Sequence, residues 1–166
     1  MIQLSQHDTI AAIATAPGNA GIGVIRISGK NITSFIQQLC GKQNLIARYA
    51  TYTSFYDEEK KVIDQGLALF FQAPQSFTGE NVLELQCHGG TIVLKRLLKR
   101  CIALGARQAQ PGEFSQRAFL NNKIDLVQAE SIADLINSTS ESAAKSASLS
   151  LEGHFSARLQ EINEAI

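Results

Sequence analysis

The sequence has 166 residues, which suits one domain, or one domain and a piece of another. With 45% hydrophobic and 18% charged residues it can supply a real core, and its formal net charge of zero argues against wholesale binding of nucleic acid or membrane by charge, leaving room for a local basic patch. No apolar run is long enough to span a membrane, His7 and Asp8 stand where a signal peptide needs its apolar core, and the cysteines at 40, 87 and 101 form no CxxC pair, so a cytoplasmic protein with reduced thiols is expected.

In chain order, residues 9–15 read as a strand stopped by Pro17-Gly18, and residues 21–29 as a second strand. The glycines here fail both nucleotide tests. Gly21-x-Gly23-x-x-Arg26 lacks the third glycine of a dinucleotide fingerprint and runs into a strand. Neither Gly29-Lys30 nor Gly41-Lys42 is followed by Ser or Thr, so the sequence has no P-loop. Arg26 is the anomaly, since it stands between Ile25 and Ile27. A guanidinium emerging from an apolar strand usually meets a carboxylate or phosphate. The alternative is a surface arginine on a half-solvated sheet. Asn31 is expected to cap a short helix carrying Ile32, Phe35, Ile36 and Leu39, with Gly41 just past its end. Residues 48–56 and 62–72 read as an antiparallel pair joined by the charged turn 57–61.

The stretch with the most chemistry is 77–90. Polar and apolar residues nearly alternate from Asn81 to Gln86, which suits a strand with one buried face. Val82 and Glu84 share one face, Leu83 and Leu85 the other. A carboxylate so placed needs a partner, because an unpaired buried charge is costly. Gly89 and Gly90 permit close approaches, and the N–H groups of the next helix can face a polar ligand. The alternative is an edge strand with a solvated Glu84. Cys87 beside His88 invites a metal or nucleophile reading, but no second Cys/His cluster supports it.

Residues 91–104 form an amphipathic helix with Leu94, Leu97, Leu98 and Cys101 inward, ended by Gly105. Lys95, Arg96, Lys99 and Arg100 make its outer face basic, suited to RNA phosphates or simply to solvent. Residues 106–110 allow one more short strand. Residues 111–123 turn at Pro-Gly, make a helical turn or two and stop at Asn121-Asn122, which leaves Lys123 in a connector. Asp125 with Gln128 resembles a capping box opening a helix to Asn137, and Ser138 with Glu141 a second one. Helix is then expected to the C-terminus, where Ile162 and Ile166 need a partner, as if the chain were cut inside a helical region.

Several of these stretches together resemble the N-terminal part of the tRNA modification GTPases of the MnmE (TrmE) family. They are 8–15, 21–29, 76–80, Gln86-Cys87-His88-Gly89-Gly90, 107–114 and 117–126, and the resemblance covers essentially the whole chain. Two departures are Cys87, where the family more often has glycine, and Asn19-Ala20, where it usually has Arg-Gly or similar. The resemblance implies an α+β domain with a mixed or antiparallel sheet, similar to the tetrahydrofolate-binding domains of one-carbon enzymes. It sets that domain at 1–122 and the start of a helical domain at 123–166. It further implies a homodimer that binds 5-formyl- or 5,10-methylene-tetrahydrofolate through Arg26, Glu84 and Lys123. GTP, magnesium and potassium would belong to a GTPase domain absent here. FAD would belong to the flavoprotein partner MnmG (GidA), with which the full enzyme modifies C5 of the wobble uridine, position 34, of certain tRNAs. No catalytic residue is expected in this chain, and no GTP hydrolysis. A dimerisation module with a vestigial pocket and an RNA-docking module are the alternatives.

Overall fold

The computed structural model describes residues 8–152, which form two compact units divided between Gln110 and Pro111. The first is α+β. Its strands are β1 (Ile10–Ile13), β2 (Ala20–Gly29), β3 (Thr51–Tyr56), β4 (Val62–Phe71), β5 (Asn81–Gly89) and β6 (Arg107–Gln108). They form one mixed sheet in the order β3-β4-β5-β2-β1-β6, antiparallel except for the β1–β6 pair. Two helices, α1 (Thr33–Cys40) and α2 (Thr91–Ala103), pack on one face of it.

The period-2 pattern decides that face. Ile25 and Ile27 of β2, Leu83 and Leu85 of β5, Ala68 of β4 and Phe55 of β3 are buried against the helices. Phe35, Ile36 and Leu39 of α1 and Leu94, Leu97 and Cys101 of α2 complete this core. The three cysteines all lie in it, and burial pushes their thiols up, to about 12 for Cys40 and Cys101 and about 11 for Cys87. At pH 8 only about one Cys87 in a thousand is then a thiolate, and still fewer of the others. A thiol reagent at pH 8 should therefore leave all three untouched in the folded chain and label all three in denaturant. Labelling of the folded protein at the rate of a free cysteine would contradict this.

Several element boundaries differ from the sequence expectation. Asn31 does not cap α1: the helical backbone already includes the buried Ile32, whose carbonyl accepts from the N–H of Ile36. β3 starts at Thr51 rather than 48, because Arg48 takes a left-handed backbone (φ 61°) that no strand continues through. Gly41 does end α1 in the left-handed conformation (φ 62°), and the charged turn closes on the Asp57 side chain, which accepts the N–H groups of Glu59 and Lys61.

The second unit is helical: α3 (Glu113–Leu120), α4 (Leu126–Asn137) and α5 (Glu141–Leu151). α3 holds a buried Arg117–Glu113 pair at 3.2 Å. The expected capping box opens α4, with the Gln128 N–H donating to Asp125 and the Gln128 side chain accepting from the Asp125 N–H. The cap of α5 is Ser140, not Ser138; Ser138 instead donates its hydroxyl to the Leu135 carbonyl at the end of α4. Ile162 and Ile166 lie outside the described residues.

Candidate functional site

The sheet face opposite α1 and α2 carries the site. Strand pairing lines up three rows across it. One is Ser28, Val82 and Phe71; the next is Ala12, Arg26, Glu84 and Leu69; the third is Val24, Gln86, Leu67 and Tyr52. Arg26 and Glu84 are thus direct cross-strand neighbours on the central strands β2 and β5. Antiparallel neighbours stand about 5 Å apart at Cβ, close enough for a guanidinium to reach a carboxylate. Arg26 donates from Nε to Glu84 Oε1 at 2.8 Å, and its NH2 lies 2.7 Å from the same oxygen in an ion pair. The second oxygen, Oε2, has no hydrogen-bond partner among the described residues. The pair is only partly covered, with side-chain exposures of 30% and 17%.

A loop between β4 and β5 arches over this face. Phe77 places its ring 5.6 Å from the Arg26 guanidinium carbon, a cation–π distance. The loop is held by a closed ring of hydrogen bonds. The buried Ser28 donates to the Glu80 carboxylate at 2.8 Å, so Thr78 donates to Ser28 at 2.7 Å, and the Glu80 N–H donates to Thr78 at 3.3 Å. Asn81 ties down both flanks: its side chain accepts the Ala73 N–H and donates to the Lys30 carbonyl. These partners were not singled out from the sequence. The alternation of Ser28 with Arg26 on β2 was the available signal for one of them.

At the far end of β5 the two glycines separate in meaning. A side chain on Gly89 would lie 2.5 Å from the Ala20 carbonyl oxygen, so this position needs glycine for the close approach of β2. Gly90 has an ordinary backbone (φ −67°) and space around it. Cys87 is buried, and its thiol donates to the Gly23 carbonyl at 3.4 Å. That geometry and its raised pKa do not suit a nucleophile. The exposed His88 instead donates its N–H to Asp64 Oδ2 and sets its ring Nδ1 2.8 Å from Oδ1. Partial burial pushes the Asp64 carboxyl up, but these His88 contacts and the Gln65 N–H outweigh it, and the net pKa is below the ordinary value. Among the described residues no group of three or more His, Cys, Asp or Glu could hold a metal, and no helix is long and apolar enough to cross a membrane.

Arg26 and Glu84 are therefore brought together, in the first unit. Lys123 belongs to the second unit, exposed in the turn after α3. That turn is a Schellman-type ending: Asn122 is left-handed (φ 55°) and donates to the Phe119 carbonyl, while the Lys123 N–H donates to the Ala118 carbonyl. Lys123 lines an open depression of about 540 Å³ together with Phe119, Asn122, Asp125 and Gln128.

The family model described as "GTP-binding protein TrmE N-terminus" matches residues 9–123. Three curated relatives are each named tRNA modification GTPase MnmE. The protein of Chromobacterium violaceum is 60% identical over 148 residues, covering 89% of this chain and 33% of its own length. That of Neisseria meningitidis serogroup A is 60% identical over 156 residues, or 94% and 35%. That of Laribacter hongkongensis is 57% identical over 159 residues, or 96% and 35%. The chain spans about a third of the length of these relatives.

Proposed function

The chain belongs to the TrmE N-terminus family, and from that premise we propose that it is the part of a tRNA modification GTPase that binds a one-carbon tetrahydrofolate and pairs two copies of the enzyme. The ligand would be 5-formyl- or 5,10-methylene-tetrahydrofolate. GTP hydrolysis, with its magnesium and potassium, is assigned to other parts of the protein, since this sequence has no P-loop. FAD is assigned to the partner MnmG (GidA), and the wobble uridine of certain tRNAs to the assembled enzyme as substrate.

The observation that carries the reading is Glu84. It is oriented by Arg26 through one oxygen and offers the other, on a half-covered apolar face beside the Phe77 ring. A pterin edge presents neighbouring N–H donors to such a carboxylate, and its flat ring suits an aromatic neighbour. Lys123 enters as a third folate-contacting residue on the family resemblance alone. Calorimetric titration of 5-formyltetrahydrofolate into the chain tests the reading. Saturable binding supports it; no binding up to millimolar ligand leaves a dimerisation module with a vestigial pocket.

Pairing of two copies is supported by the same face. Val24, Leu67 and Leu69 lie on it half-buried, with neither α1 nor α2 above them. Sedimentation equilibrium at micromolar concentration should give twice the chain mass of 18.0 kDa. A clean monomer would refute the dimer.

A further inference from the structure

On the helix-covered side of the first unit, a hollow of about 410 Å³ opens between the end of α1, the β3–β4 turn and the last turn of α2. Arg100 forms part of its wall. This guanidinium is half-buried and makes no hydrogen bond or ion pair with any described residue, and its Nε is fully buried. Every other described arginine has a partner: Glu84 for Arg26, the Gln75 carbonyl for Arg48, and Asp57, Asp8 and Glu113 for Arg96, Arg107 and Arg117. The Nε is closed to an outside ligand, so it is the terminal nitrogens of this unpaired guanidinium, in the wall of the hollow, that can meet an acceptor supplied from outside the chain.

The surroundings favour an anionic acceptor. Lys42 and Lys60 stand exposed at the rim, and Lys95, Arg96 and Lys99 continue the charge along the outer face of α2. The nearby carboxylates are largely engaged. Asp57 accepts two turn N–H groups and faces Arg96 at 3.5 Å, and Glu59 pairs with Lys61, which leaves Glu58 at the rim. A chain of zero net charge thus concentrates positive charge on one surface, away from Arg26 and Glu84. Resting on the reading of this chain as part of a tRNA modification enzyme, we propose that the hollow and the outer face of α2 dock the phosphate backbone of RNA, with Arg100 donating to a phosphate oxygen.

The test is fluorescence anisotropy of an unmodified tRNA transcript titrated with the 166-residue chain at about 50 to 200 mM salt, where phosphate contacts give a linear log–log salt dependence. Arg100→Gln should weaken binding about tenfold and reduce the slope by about one, while Arg100→Lys keeps the slope. Should Arg100→Gln melt early, the exposed double variant Lys42→Gln, Lys60→Gln carries the test and should lower the slope by about two. The proposal is overturned if the variant that folds binds RNA with the parent's affinity and slope, or if the parent shows no salt-dependent binding at about 100 µM, a generous ceiling for non-specific contact. Equal binding of a polyglutamate peptide, lost in the same variants, would overturn it in favour of an acidic protein partner. Arg100→Gln should leave 5-formyltetrahydrofolate binding unchanged. Folate binding without RNA binding therefore sinks this proposal alone, and RNA binding lost in Arg100→Gln without folate binding sinks the folate reading alone.

Discussion

Glu84→Gln should leave the fold intact and weaken 5-formyltetrahydrofolate binding by about 30- to 1000-fold, equivalent to roughly 2–4 kcal/mol. The glutamine keeps the size of the side chain and one oxygen. Arg26 already holds a single oxygen of Glu84 with its Nε and NH2, so the glutamine oxygen is drawn to Arg26 and the new NH₂ takes the place of Oε2. A donor then faces the donors of the pterin edge, and the ligand loses a charge-assisted acceptor. Calorimetry on the parent and the variant, with matched thermal melts to show equal folding, decides the matter. If the variant binds as tightly as the parent, Glu84 is not the pterin anchor.

The second large effect is on stability. A Cβ placed on Gly66 would sit 1.9 Å from the carbonyl oxygen of Gln86 and 3.3 Å from the Cα of Cys87. Both are backbone atoms of the central strand β5 and cannot swing aside as a side-chain tip does. Gly66→Ala therefore forces β4 away from β5 beside the Leu67–Gln86 row, the neighbour of the row that carries Glu84. The cost should be about 3 kcal/mol or more, at the upper end for overpacking. In a chain of this size that lowers the melting temperature by about 6–12 °C. Gly21→Ala is the control, because a Cβ there meets nothing within 4 Å, and it should melt within about 2 °C of the parent. A Gly66→Ala protein as stable as the control would show that the strands can part at little cost.

The faces of the sheet were readable in the sequence and the neighbours on them were not. Alternation in Ile25-Arg26-Ile27 and Leu83-Glu84-Leu85 puts both charges on the face away from the leucines, and the structure agrees. Period two says which side a residue faces, but not which residue of another strand stands opposite. That register joins positions 58 residues apart and is set by the whole ladder. The Phe77 ring is a similar case: its place over Arg26 depends on a hydrogen-bonded ring linking Ser28 to Thr78 and Glu80, 50 and 52 residues further along the chain. Local signals did best where the chemistry was local. The Asp125–Gln128 box was found as expected. For α5 the local pattern pointed to Ser138, two residues too early, because the backbone path rather than the motif decides that Ser140 accepts the Ala143 N–H.

The row that carries Arg26 and Glu84 has one more consequence, for the order in which the protein loses its parts. Both residues sit inside continuous strands whose carbonyls and amides bond each other on either side, so their backbone positions part only when the ladder itself opens. Opening the middle of a sheet belongs to global unfolding, whereas loops open at far smaller free energies. Under mild denaturation the Phe77 loop is thus the first part of the site to loosen. The two positions stay face to face until the domain melts, their spacing backed by the stability of the entire sheet.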